Sequence, residues 1–272
     1  MRMRSTLLLI SALVLALLIP SAASAQQAWA PAATASIHPG VQTFTEGAQC
    51  TANFVFTNGS DVLIGQAAHC AGTGGATETD GCLAGSLPLG TPVEVDGASR
   101  PGTLVYSSWL TMQANGESDP NVCAYNDFAL VKLDPADVAS VNPSVPNWGG
   151  PTSLGATSST LDQVYSYGNS GLRFGLTPTS PKEGYSLGQT GGGWSHTVYT
   201  VTPGIPGDSG SGFLSASGAA LGTLSTVAIL PIPASNGVGD LAREVGYAQS
   251  RGGFSGLQLA LGTEPFTGGL LP

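Results

Sequence analysis

The chain has 272 residues, of which 17 are acidic and only 8 basic, and just 9% are charged at all. A surface this acidic excludes nucleic acid and anionic lipid as favoured partners. Its 39 glycines and sparse charge argue for an exported, β-rich protein over a helical one.

Arg2 and Arg4 precede an apolar run from Leu7 to Ile19, and small residues ending in Ala23-Ser24-Ala25 follow. That pattern reads as a secretory signal peptide over residues 1–25, and the run is short for a membrane anchor. Residues 26–36 are Ala-rich, a pro-segment or a loose tail. Four cysteines, Cys50, Cys70, Cys82 and Cys123, fit an oxidising compartment. They allow three pairings, and they lack the Cys-x-x-Cys spacing of a zinc site.

From residue 51 onward the pattern is of short strands and turns. Ala52 to Phe56 alternates, Asn58-Gly59 turns, and Asp61 to Gln66 carries the apolar run Val62-Leu63-Ile64. Pro92 to Val95, Thr103 to Tyr106 and Phe128 to Leu133 read as further strands. Asn142 to Gly155 is a Pro/Gly-rich connection. Gln163 to Tyr167, Thr197 to Val201, Gly212 to Leu214 and Leu221 to Ile229 complete the strand-like set. Asn236-Gly237 reads as a turn into a helix whose apolar face is Val238, Leu241, Val245 and Ala248, stopped by Gly252-Gly253. A last strand spans about Gly256 to Leu261.

Three stretches carry chemistry. Gly65-Gln66-Ala67-Ala68-His69-Cys70 follows a buried strand. Asn126-Asp127-Phe128-Ala129-Leu130 puts a carboxylate at the mouth of another. Pro206-Gly207-Asp208-Ser209-Gly210-Ser211-Gly212 is a tight turn around a serine. A serine hydroxyl needs a base to take its proton, and a carboxylate orients the imidazole that does so.

The ordered motifs resemble those of the chymotrypsin/trypsin superfamily of serine proteases, secreted bacterial branch, over about residues 37–262. The resemblance implies an all-β fold: two six-stranded antiparallel Greek-key β-barrels packed together, with a C-terminal helix. The peptidase domain would be 37–272, with a first barrel at about 37–145, a second at about 156–235, and the helix and strand at 236–272. It implies His69, Asp127 and Ser209 as catalytic, with an oxyanion hole from the amides of Gly207 and Ser209. It pairs Cys50 with Cys70, leaving Cys82 with Cys123.

In this family the acid before the nucleophile, here Asp208, is a structural carboxylate buried against a cation. That cation is either a freed N-terminal amine or an arginine, for which Arg173 is the candidate. Substrate contacts fall to Pro203, Ser225 and Val227. With no acid near Pro203, and a valine where wide pockets have glycine, small or aliphatic P1 residues are expected over aromatic or basic ones. His196 reads as structural or pocket-lining.

The expectation is therefore a secreted, extracellular, monomeric serine endopeptidase acting on polypeptides, with no cofactor, metal, nucleic acid or membrane partner after signal removal. The alternative is a catalytically silent binding protein on the same fold. Other serine hydrolases fail on order, since no histidine follows Ser209, and His-Glu-x-x-His is absent.

Overall fold

A computed structural model describes residues 27–75, 78–227 and 234–269. The signal-peptide reading of residues 1–25 and the Ile229 end of one expected strand lie outside them.

The first sheet is built from β1 (Gln42–Thr45), β2 (Ala48–Thr51), β3 (Val55–Asn58), β4 (Asp61–Gln66), β5 (Pro92–Val95), β6 (Gly102–Ser107) and β7 (Ala129–Lys132). Two helices stand between β6 and β7: α1 (Ser108–Asn115) and α2 (Pro120–Tyr125). β4 is buried on both faces beyond Asp61, which is why its apolar run is continuous; β5 shows one face to solvent and alternates.

The second sheet comprises β8 (Gln163–Tyr167), β9 (Pro181–Thr190), β10 (Ser195–Thr200), β11 (Gly212–Ser215), β12 (Ala220–Val227) and β13 (Asn236–Asp240). α3 (Leu241–Arg251) and β14 (Leu257–Leu259) follow.

The second sheet closes as a six-stranded antiparallel barrel in the order β10-β13-β12-β11-β8-β9. The first runs β14-β3-β4-β7-β6-β5-β1-β2 and has eight strands where six were expected. The difference has a local cause. β2 and β3 are one run of chain bent at Ala52–Phe54. Ala52 N–H still donates to Val41 O on the β1 side, while Asn53 N–H already donates to Gly65 O in β4. The bend carries the strand from one end of the sheet to the other, and closes a six-stranded barrel through the chain itself. β14 is an addition, laid antiparallel on the outer edge of β3.

Each barrel has its own apolar filling. Val55, Ile64, Val93 and Leu104 lie in the first, and Val164, Val198, Phe213 and Leu224 in the second. A third cluster joins them: Phe56, Phe128 and Leu130 meet Tyr165, Leu214 and Trp148, and α3 adds Leu241, Val245 and Ala248. Phe128 packs edge-on against Phe56, with ring centroids 5.5 Å apart. The seam between the barrels is thus packed with apolar side chains.

Several elements depart from the sequence reading. Asn236–Asp240 is a strand paired to both β10 and β12, not a turn into the helix. The helix therefore begins at Leu241, where the Asp240 side chain accepts from Arg243 N–H (3.0 Å). β9 is the longest strand among the described residues, yet Pro-Lys-Glu-Gly-Tyr-Ser-Leu-Gly-Gln-Thr has no β-branched residue before Thr190 and offers little strand signal. α1 goes unread because it is short and starts on the end of β6, capped by Ser107 and ended by Gly116 in the left-handed region. Residues 29–36 are anchored: Trp29 packs on the first core and Ala30 N–H donates to Val141 O. Among the described residues no helix is long and apolar enough to cross a membrane.

The cysteines form Cys50–Cys70 and Cys82–Cys123, which removes a zinc role for the four thiolates. The second bridge spans 41 residues and ties the loop before β5 to α2. Replacing both Cys82 and Cys123 by serine is expected to cost about 2–4 kcal/mol, read as a lower urea midpoint. An unchanged midpoint would show that the bridge adds nothing to the fold.

Candidate active site

The barrel seam opens into a cleft of ≈ 690 Å³ lined by His69, Asp127, Gly207, Ser209, Ser225 and Val227, among others. Each arrives by a different route. His69 sits in the short helical turn after β4, Asp127 stands just before β7, and Ser209 lies in the β10–β11 crossover. Ser225 and Val227 belong to β12 itself.

The His69–Asp127 pair is held by three contacts. His69 Nδ1 donates to Asp127 Oδ2 (2.6 Å), and His69 backbone N–H donates to Oδ1 (2.9 Å). The Ser225 hydroxyl donates to Oδ2 as well (2.5 Å). The Ser225 side chain is therefore committed to the carboxylate, although the residue lines the cleft. Burial works to raise the Asp127 pKa, but the His69 ring, the Ser225 hydroxyl and the His69 amide outweigh it and hold Asp127 below its ordinary value. Burial likewise works against the His69 cation, and the Asp127 charge overcomes it, leaving His69 above 6.5. With Nδ1 bound to the carboxylate, Nε2 is the ring nitrogen left for other chemistry.

Behind Asp127 stands a residue with no local motif. Glu244, wholly buried on α3, accepts from Asp127 N–H at Oε1 (3.2 Å). Its Oε2 shares a hydrogen bond with the Thr223 hydroxyl (2.9 Å). Burial, with the Asp127 and Asp240 charges adding to it, pushes the Glu244 carboxyl well above the usual carboxylate range. One signal for it was available: Glu244 lies three residues after Leu241 and four before Ala248, an acid on the apolar face of the helix.

Asp208 is also wholly buried. Its carboxylate meets Arg173 Nη2, Lys182 Nζ (3.2 Å), Ser170 N–H (3.0 Å) and Ile205 N–H (3.1 Å). Lys182 went unremarked in the sequence. Its ammonium also donates to the carbonyls of Thr202 (3.0 Å) and Pro203 (3.1 Å). Burial pulls the Lys182 pKa down, and Asp208 offsets part of that pull. Pro203 thus turns its carbonyl to Lys182, and Gly204 takes the place on the cleft wall.

Gly207 has φ +95°, and a Cβ there would stand 2.1 Å from Gln49 Oε1, so only glycine fits. Among the described residues neither Gly207 N–H nor Ser209 N–H meets a protein acceptor. Two free amides beside a serine can stabilise negative charge on an oxygen.

His196 does not reach the cleft. It is fully buried in β10, with Nε2 3.0 Å from Asp240 Oδ2 and Nδ1 2.8 Å from Ser158 Oγ.

No protein-family model and no curated protein matches the chain. Solved structures do. Thermobifida fusca Protease A is 19% identical with a TM-score of 0.51, over 83% of this chain and 99% of that one. A glutamic acid specific serine protease, described as using a novel histidine triad in substrate binding, is 17% identical with a TM-score of 0.50, over 82% and 100%. The fold is accordingly that of the chymotrypsin-like serine proteases.

Glu244 keeps its proton in the folded state where the unfolded chain releases it above about 4.5. Its contribution is complete below that value and is lost as pH rises towards the folded pKa. Glu244→Gln retains both hydrogen bonds without titrating. Its urea midpoint should match wild type near about pH 4 and exceed it near about pH 8. A wild-type advantage that grows with pH would mean that Glu244 is ionised in the fold.

Proposed function

We propose that this protein is a secreted serine endopeptidase, hydrolysing peptide bonds through Ser209, His69 and Asp127. The observation that carries the reading is the His69 Nδ1–Asp127 Oδ2 contact at 2.6 Å, in the cleft that Ser209 and the free Gly207 amide also line. The two disulfides, which persist in oxidising compartments, support export.

In the proposed cycle His69 Nε2 takes the Ser209 proton as Oγ bonds to the substrate carbonyl carbon. The carbonyl oxygen becomes an oxyanion facing the amides of Gly207 and Ser209. The C–N bond then breaks, and the His69 proton passes to the departing amine. Water repeats the sequence on the acyl-enzyme, releasing the acid and restoring Ser209. Asp127, kept ionised by its three donors, supports the His69 cation formed midway.

The same cleft supports a preference at P1. Val227 Cγ2 lies 3.3 Å from where a Gly204 side chain would begin, which sets the valine beside the Gly204 backbone on the cleft wall. Small or aliphatic P1 groups fit such a space better than rings.

Ser209→Ala and His69→Ala should each lower kcat by about 10⁴-fold or more while the urea midpoint changes little. A fluorophosphonate should label the wild type at Ser209 only. Cleavage by His69→Ala at the wild-type rate would defeat the assignment.

Val227→Gly should raise kcat/KM for Phe at P1 by about tenfold to a hundredfold, since overfilling an apolar site costs about 1–3 kcal/mol. A wild-type enzyme that already prefers Phe or Arg would exclude the narrow slot.

A further inference from the structure

The peptide that carries the Gly207 amide is gripped by side chains that lie outside the proposed triad. Ser170 Oγ donates to Pro206 O at 2.5 Å, and accepts from Leu172 N–H at 3.1 Å. Its own backbone N–H donates to Asp208 Oδ1 at 3.0 Å. Ser170 is 2% exposed and is not on the cleft surface, so it does not touch substrate.

The next carbonyl along the chain is held from the other barrel. Gly207 O accepts from Thr51 Oγ1 (2.7 Å) and from Gln49 Nε2 (3.0 Å), both brought by β2. Gln49 Oε1 is in turn held by Gly171 N–H (2.9 Å).

In a planar trans peptide the carbonyl of one residue and the N–H of the next point in opposite directions. A donor on Pro206 O therefore decides where Gly207 N–H points. The decision is needed because Gly207 has no side chain to resist rotation and already sits at φ +95°. If the Pro206–Gly207 peptide turned over, a carbonyl would face the cleft and the amide would face away. Transition-state charge would then meet a lone pair instead of a donor.

We propose that Ser170 is a positioning residue for the oxyanion site: its hydroxyl holds the Pro206–Gly207 peptide so that Gly207 N–H faces the oxygen made negative by Ser209 attack. This rests on the serine-protease reading above. Gln49 and Thr51 complete the grip by fixing the following peptide. The amide is therefore aimed only when both barrels are docked, since Ser170 comes from one and Gln49 and Thr51 from the other.

The test measures kcat and KM on a peptide amide, and the affinity of a peptide aldehyde, in wild type and in Ser170→Ala, Ser170→Cys and Ser170→Thr. Loss of an oxyanion donor typically costs about 10²–10³ in kcat, so partial loss of its aim should cost Ser170→Ala about tenfold to a hundredfold, with KM within about twofold. The aldehyde adduct carries the same oxyanion, and its affinity should fall by a similar factor. Ser170→Thr should recover most of kcat. Ser170→Cys, close in size with a weak donor, should fall between, and it carries the test if the alanine variant does not fold. A merely structural role would lower the melting temperature of these variants and leave kcat and aldehyde affinity near wild type, which would overturn the proposal. The two readings fail differently. A wild type that neither cleaves nor takes up fluorophosphonate ends the protease reading and this inference with it. An active wild type matched by Ser170→Ala ends this inference alone.

Discussion

A single buried charge organises the cleft. A carboxylate taken out of water needs cations and donors around it, or it costs several kcal/mol. Asp208 meets that demand by recruiting Arg173, Lys182 and the amides of Ser170 and Ile205. The recruitment has geometric effects. It brings the 170–173 turn against Pro206 and holds the 202–203 segment through the same lysine. The crossover bearing Ser209 is thus shaped from behind by electrostatics, and from the side by Thr51, whose N–H donates to Ser209 O at 2.8 Å.

What was legible in the sequence was what is local. His69, Asp127 and Ser209 each sit in a stretch whose flanks explain them: a buried strand before the first, a strand after the second, glycines around the third. Strands with unbroken or alternating apolar residues, such as Asp61–Gln66 and Pro92–Val95, were legible for the same reason. Contacts made across the fold were not. Glu244 reaches Asp127 from 117 residues away, and Ser225 reaches it from 98. β9 was invisible because barrel closure, not side-chain propensity, holds it extended between β8 and β10. The glycines of β13 resemble a turn into a helix, whereas two neighbouring strands supply its ladder.

The second barrel contains an instructive contrast. Ser158, His196 and Asp240 make a hydroxyl–imidazole–carboxylate chain with distances of 2.8 Å and 3.0 Å. The residue types are those of the cleft, yet all three are buried and the Ser158 hydroxyl is further tied to Ser186 at 2.9 Å. Here the chain satisfies polar groups inside a barrel, while at the seam the same chemistry faces space. Access separates the two, and neither composition nor pairwise geometry would.

β14 places a late segment on an early strand, pairing Leu257 with Asn58 and Leu259 with Phe56. The chain then continues along the connection between the barrels, where Gly262 N–H donates to Pro151 O and Thr267 N–H to Trp148 O. The outer edge of β3 is therefore covered by a segment that lies far from it in the chain. Pairing segments this far apart in the chain is slow, so the outer edge of β3 is covered late in folding.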